Sequence, residues 1–295
     1  MDTTGGSSAS ASAVRLPDAL RGLVLSCHPG PSCAVTALIA VLAVSSGMQG
    51  PRCALVASAV LAGQLSVGWS NDAFDARRDA DAHRPGKPVA RGTVSRGTVW
   101  CAASAALLLC VALSLACGAA AGAAHLTGVG AAWAYNLRLK ATALSWLPYA
   151  IGFAALPCLV ALSLPGGAGP AWWVVSAGAL LGVAAHLGDV LPDIEDDLRA
   201  GVRGLPQRWG PARTRLLLPL PLVAATAVLV FGPPGGPGGP GVVALASVAL
   251  CGAVVTATGA RPRRDGTWRK AALAGTVAVA SADVALLVTR GAGLA

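Results

Sequence analysis

Long stretches without a charged residue constrain this chain more than any other feature of its sequence. A membrane-spanning helix needs about 20 apolar residues. The first two uncharged stretches can each hold one such helix, and the next three can each hold two, because turn-forming residues interrupt them near the middle. Six stretches contain no Asp, Glu, Lys or Arg: 22–51, 53–71, 97–137, 141–188, 216–260 and 271–282.

The composition agrees with a protein built inside a bilayer. Hydrophobic residues make up 55% of the 295 residues and charged residues only 12%, whereas soluble domains average about 25% charged residues. We therefore predict an all-α integral membrane protein with about nine spanning helices. The predicted helices are 32–48, 53–70, 99–117, 121–137, 143–163, 171–188, 214–231, 242–260 and 270–289.

The positive charges predict the orientation of this bundle. With the N-terminus in the cytoplasm, 20 of the 22 Lys and Arg residues fall in cytoplasmic segments, which is the bias expected of short loops. The net charge of +9 is thus explained by topology, and no basic stripe indicates nucleic-acid binding. We expect a bacterial-type inner or plasma membrane protein whose active-site loops face the cytoplasm.

Nine of the 13 acids lie in two short runs. We expect a disordered N-terminal tail at 1–20 and a single transmembrane domain at 21–290. That domain contains two similar acidic motifs, at 71–92 and 189–210, which suggest an internal duplication that brings both runs to one cavity. Acids at the ends of spanning helices indicate function.

The spacing of the acids indicates a metal site. Asn71, Asp75 and Asp79 are three and four residues apart, and this spacing places them on one helical face. Asp193 and Asp197 repeat the four-residue spacing in the second run. Two sets of carboxylate oxygens suit Mg²⁺, which proteins usually hold through a few carboxylates together with substrate phosphates.

Three motifs resemble the signatures of UbiA-type intramembrane prenyltransferases. The first runs from Asn71 through the Arg-Pro-Gly-Lys-Pro sequence at 84–88, and the second covers 193–210. The third is the Tyr-Asn-Leu-Arg-Leu-Lys sequence at 135–140. The resemblance implies a helical bundle around a central cavity that opens sideways to lipid. It also implies two Mg²⁺ ions that bridge an allylic diphosphate.

The resemblance also implies roles for individual residues. The predicted catalytic acids, which also bind metal, are Asp75, Asp79, Asp193 and Asp197, and Asn71 is a further metal ligand. The predicted diphosphate-binding residues are Arg84, Lys87, Tyr135, Lys140 and Arg203.

The predicted activity is Mg²⁺-dependent transfer of an isoprenyl chain from its diphosphate to a small acceptor, aromatic or quinone-like. Relatives that use a benzoate acceptor often carry Arg or Lys near the start of the first helix, but residues 26–30 here read Ser-Cys-His-Pro-Gly. One alternative is a terpene cyclase of the same family, which the low aromatic content of 4% disfavours. The alternative from another class is a membrane transporter.

Three further polar residues are open to more than one interpretation. His186 could orient Asp189 or deprotonate an acceptor, although a packing histidine is the simpler reading. Asp189 is a secondary candidate for the site. Asp283 is expected to form a local polar pair deep within the last helix.

Overall fold

The computed structural model describes residues 16–81, 87–167, 169–258 and, near the C-terminus, 278–279, 281–283 and 285–286. This described part of the chain is helical and contains no strand. Its helices are α1 (Leu16–Ser26), α2 (Pro29–Ser45), α3 (Gly50–Asp81), α4 (Arg96–Ala116), α5 (Ala119–Leu137), α6 (Leu147–Ser163), α7 (Trp172–Val190), α8 (Ile194–Arg199), α9 (Leu205–Leu217), α10 (Pro219–Phe231) and α11 (Gly239–Thr258).

The longest helix, α3, has two different halves. Its first half contributes Val56 and Val60 to the main apolar core, where they join residues of α2, α6 and α7. Its second half continues through the first acidic run to Asp81. The prediction ended this helix at residue 70, because the uncharged stretch that defines it ends at residue 71.

Successive helices pack closely because small residues lie at their contacts. α3 packs against α4, α6 against both α5 and α7, and α7 against α10. Gly182 of α7 lies against the backbone of α6, where an added Cβ atom would overlap the carbonyl oxygen of Tyr149. Glycine allows this approach of two backbones, as is common between membrane helices.

α1 and α2 form a bent pair with an angle of 54° between them. The bend lies at His28, whose φ of 54° and ψ of 64° are left-handed, and Pro29 then begins α2. Proline suits this position because the first turn of a helix does not need its N–H. Gly68 of α3 contacts the bend so closely that a Cβ atom there would overlap the carbonyl oxygen of Cys27.

The predicted α-helical class is confirmed, but several boundaries are wrong. α1 begins at Leu16 and so overlaps the tail predicted at 1–20. It carries charged residues, whereas the prediction places helices in uncharged stretches. The single helix predicted at 214–231 is a pair, α9 and α10, bent by 49°. The ninth predicted helix, 270–289, lies mostly outside the described residues.

The number of membrane spans stays partly a prediction. Three helical segments are long and apolar enough to cross a bilayer, namely α3, α4 and Trp172–Arg199. Counting each bent pair as one span raises that number to five in the described part of the chain. α6 and the part of α11 at Gly239–Ala253 are apolar but shorter.

Candidate active site

The second half of α3 presents a stripe of acids to the protein interior. Asp72, Asp75 and Asp79 are buried, whereas Asn71 is half-buried and Asp81 is exposed. Spacings of three and four residues place the three buried acids within about 60° of arc around the helix. A buried carboxylate needs cations or hydrogen-bond donors to offset its lost hydration. Residues of α3 and of neighbouring segments supply such partners to Asp72 and Asp75.

Asp75 is neutralised by two cations. Arg78, one turn further along α3, places Nη2 2.7 Å from Oδ2. Lys140 forms an ion pair with Oδ1 from the 3₁₀ turn Leu139–Ala141 that follows α5. Burial lowers the pKa of Lys140, and the carboxylate of Asp75 opposes that shift.

Asp72 has a separate pair of partners. Lys87 Nζ lies 2.6 Å from Oδ1, and His28 Nε2 lies 3.0 Å from the same oxygen. The other oxygen, Oδ2, is buried and has no hydrogen-bond partner among the described residues. The described residues therefore leave the hydrogen-bonding capacity of one buried carboxylate oxygen unused.

The second acidic run extends over the end of α7 and over α8. The Tyr149 hydroxyl of α6 donates to Asp189 Oδ2 at 2.7 Å, and Gln207 Nε2 of α9 donates to Asp197 Oδ2 at 2.9 Å. Asp193 is exposed at the end of the 3₁₀ turn Leu191–Asp193. Asp196 forms an ion pair with Arg199.

A cavity of about 400 Å³ lies between the two runs. Its wall includes Asp72 of α3, Asp193 and Asp196 of the second run, and both partners of Asp72, Lys87 and His28. One acid of the first motif and two of the second therefore line one cavity. These carboxylates lie there with a lysine, and such a set of groups can bind metal cations and anionic phosphate oxygens.

An aromatic cluster adjoins the second run. Tyr135 of α5 packs edge-on against Tyr149, with ring centroids 5.2 Å apart, and against His186, at 5.7 Å. The His186 ring Nε2 lies 3.0 Å from Ser145 Oγ, while Nδ1 has no hydrogen-bond partner among the described residues. The hydrogen bond that orients Asp189 therefore comes from Tyr149 and not from His186.

The carboxylate oxygens of the site fit Mg²⁺ by their chemistry. In the structure, however, Asp72 and Asp75 are paired with cationic side chains and not with each other. Within the described ranges, no three His, Cys, Asp or Glu side chains converge as a metal-binding group would. Of the predicted ligands, Asp193 lines the cavity, whereas Asn71, Asp75, Asp79 and Asp197 are not among its lining residues. The buried Oδ2 of Asp72, which lacks a hydrogen-bond partner, is the kind of hard anionic donor that Mg²⁺ prefers.

The predicted diphosphate-binding residues occupy different surroundings. Lys87 and Lys140 contact the acids of α3, and Tyr135 lies in the aromatic cluster. The Arg203 side chain is exposed. Arg84 lies outside the described residues.

Four residues of the site are not among the predicted site residues: Asp72, His28, Tyr149 and Gln207. Asp72 could have been found, because residues 72, 75 and 79 follow an i, i+3, i+7 pattern that is narrower than the stripe that includes Asn71. Nothing in the spacing identifies the other three, which reach the acids from distant parts of the chain.

The model of the UbiA prenyltransferase family matches residues 33–280, most of the chain. The chain belongs to the UbiA prenyltransferase family. No curated protein matches it.

Solved structures share the fold of this UbiA-family chain. A UbiA homologue from Archaeoglobus fulgidus bound to GPP and Mg²⁺ superposes with a TM-score of 0.65 at 16% identity, covering 90% of this chain and 99% of the homologue. A structure of digeranylgeranylglyceryl phosphate synthase gives a TM-score of 0.64 at 14% identity, with coverages of 92% and 98%. At these identities the likeness establishes the fold.

Proposed function

We propose that this UbiA-family chain is a Mg²⁺-dependent prenyltransferase that moves an isoprenyl chain from an allylic diphosphate to a small acceptor. The observation that carries the proposal is the cavity where Asp72, Asp193, Asp196 and Lys87 meet. The A. fulgidus homologue has been solved with GPP and Mg²⁺ and with DMAPP and Mg²⁺, which supports the same class of donor here.

The acids would hold the metal. We assign Asn71, Asp75 and Asp79 of α3, and Asp193 and Asp197 of the second run, as ligands of two Mg²⁺ ions, and we add Asp72. When bound, Mg²⁺ would neutralise the negative charge that gathers on a diphosphate leaving group.

The cations of the site would bind the diphosphate. Lys87 and Lys140 now contact carboxylates, and their flexible stems would allow the ammonium groups to turn toward the anionic oxygens of a bound diphosphate. We assign Arg84, Arg203 and the Tyr135 hydroxyl to the same diphosphate. Hydrogen-bond donors fixed around a departing anion lower the barrier to its departure.

The acceptor is proposed to be aromatic or quinone-like and to lack a carboxylate. At the bend between α1 and α2 the side chain that reaches the cavity is His28, and it pairs with Asp72. A cyclase remains the second candidate, because the few aromatic residues include a cluster of Tyr135, Tyr149 and His186 beside Asp189. Aromatic rings beside a cavity can steady an allylic cation.

The test is product analysis with purified protein in lipid vesicles. Geranyl, farnesyl and longer diphosphates are supplied with and without phenolic and quinone acceptors, in Mg²⁺ or in EDTA. We expect release of diphosphate and a prenylated product only with both acceptor and Mg²⁺. Cyclic products without acceptor would establish the cyclase instead, and full activity in EDTA would remove the metal from the proposal.

We further propose that the acidic motifs face the cytoplasm. Single cysteines introduced at exposed positions of 71–96 and 189–213, in a variant whose own cysteines are replaced, should react with an impermeant reagent only from the cytoplasmic side. Labelling of the two segments from opposite sides would contradict both the orientation and the shared cavity.

A further inference from the structure

A second cavity, of about 580 Å³, lies beside α3 and is separate from the candidate active site. It is bordered by α1, the end of α3, the turn at 89–95 and the start of α4. Its wall combines apolar side chains with two arginines, and it shares no residue with the cavity of Asp72. Its lining includes Ala19, Ala76, Arg77, Val94 and Arg96.

This second cavity lies at the boundary of the membrane. α3 and α4 are both long and apolar enough to span a bilayer. The cavity is formed where α3 ends and α4 begins, which is the level at which lipid headgroups meet the spanning helices.

α1 forms one wall and has the character of a helix that lies in the membrane interface. Leu16, Leu20 and Val24 are four residues apart and exposed, so they form an apolar stripe along one side. On another side, Gly22 packs tightly against Thr93 and Val94. An exposed apolar stripe on a helix at the membrane boundary is typical of interfacial helices.

The two arginines supply positive charge at this level. Arg77 is exposed. Arg96 donates its Nε–H to the carbonyl oxygen of Ala73 at 2.8 Å, which fixes the side chain and uses one of five N–H donors. The described wall of the cavity contains no acid.

We propose that this second cavity binds an anionic phospholipid. The lipid phosphate contacts Arg77 and Arg96, and the upper part of an acyl chain lies on the apolar wall of Ala19, Ala76 and Val94. Basic pockets between helices on the cytoplasmic side of membrane proteins bind anionic headgroups in this way.

The test measures lipid binding to the purified, delipidated full chain by native mass spectrometry. Phosphatidylglycerol and phosphatidylcholine with identical acyl chains are titrated separately, and inorganic phosphate is added as a competitor. We expect phosphatidylglycerol to bind at least about tenfold more tightly than phosphatidylcholine. The double variant Arg77→Gln/Arg96→Gln should lose about tenfold or more of that affinity.

A matched control removes the same charge elsewhere. Arg52→Gln/Arg213→Gln replaces two exposed arginines outside the cavity and should keep the affinity. Ala19→Trp fills the cavity without changing any charge, so it should weaken binding even if the double variant folds poorly. Unchanged affinity in both cavity variants, or an equal loss in the control, would overturn the site. Displacement of the lipid by equimolar phosphate would overturn its assignment to a phospholipid.

Discussion

The ammonium of Lys87 lies 2.6 Å from a carboxylate oxygen of Asp72, at the wall of the cavity that both acidic motifs share. The Asp72 side chain is 1% exposed and that of Lys87 is 20% exposed. Lys87, which is expected to bind the substrate, is therefore held in place by Asp72. Asp72 is not among the metal ligands predicted from the sequence. The pair links the first acidic motif to the residues that follow it.

Asp72→Asn should lower turnover by about two orders of magnitude, because it removes a charged group positioned at the site. It also leaves Lys87 without its counter-charge, so turnover is measured as diphosphate release per mole of membrane-inserted protein. Lys87→Gln in the Asp72→Asn background should cost little more than either change alone, because groups that act as a unit are not additive. Additive losses would show that the two residues act independently.

The four acids assigned to catalysis should be far more sensitive than other acids. Asp75→Ala, Asp79→Ala, Asp193→Ala and Asp197→Ala should each reduce diphosphate release by about 10²–10³-fold. Asp81→Ala is the matched control, because Asp81 is exposed on the same helix. An equal loss in Asp81→Ala would disprove the buried stripe as the metal-binding face.

Asp283→Ala should leave turnover nearly intact, because the hydrogen bond of Asp283 is to Thr226 of α10, 57 residues away in sequence, and not to a residue of the candidate active site. Its Oδ1 accepts a hydrogen bond from Thr226 Oγ1 at 3.0 Å. Turnover per mole of inserted protein is the readout here as well. A loss comparable to that of Asp75→Ala would require a functional role for this buried acid.

Tyr149→Phe should lower turnover by about tenfold, the scale of one hydrogen bond to a charged group, while the protein reaches the membrane in normal amounts. The change deletes the hydrogen bond to Asp189 but keeps the ring that packs on Tyr135 and His186. If Tyr149 acts through Asp189, Asp189→Asn should cause a similar loss and the double variant should add little. Normal turnover in Tyr149→Phe would make this contact purely structural.

Gly182→Ala should destabilise the protein, because its methyl group would collide with the carbonyl oxygen of Tyr149. Overpacking of this kind costs about 1–3 kcal/mol, so the Tm in detergent should fall. Gly130→Ala is the control, since a Cβ atom at this position of α5 meets no atom within 4 Å. The control should keep or slightly raise the Tm, because alanine favours helix more than glycine does.

The sequence predicts the apolar helices better than the charged ones. α4 begins three residues before the predicted start, and α5 ends at the predicted residue 137, because apolar runs and glycine breaks mark their limits. α1 and α8 carry charges and are not among the predicted helices. The second half of α3, whose acids the spacing places on one helical face, lies beyond the helix predicted at 53–70. Ion pairs such as those of Asp75 with Arg78 and Lys140 offset charge in α3, and a count of uncharged residues does not detect such pairs.

The same reasoning explains which parts of the site could be predicted. The acids are visible because nine of 13 cluster in two runs. Their partners are not, because His28 reaches Asp72 from 44 residues away and Tyr149 reaches Asp189 from 40. Such pairings depend on how the helices pack, and no local spacing encodes them.

The bend at His28 places two demands on one residue. Its left-handed backbone favours glycine, whereas its contact with Asp72 requires an imidazole. Joining α1 and α2 into one straight rod would take the backbone out of the left-handed region and withdraw the imidazole from the carboxylate. The angle between α1 and α2 is therefore mechanically coupled to a hydrogen bond in the wall of the cavity.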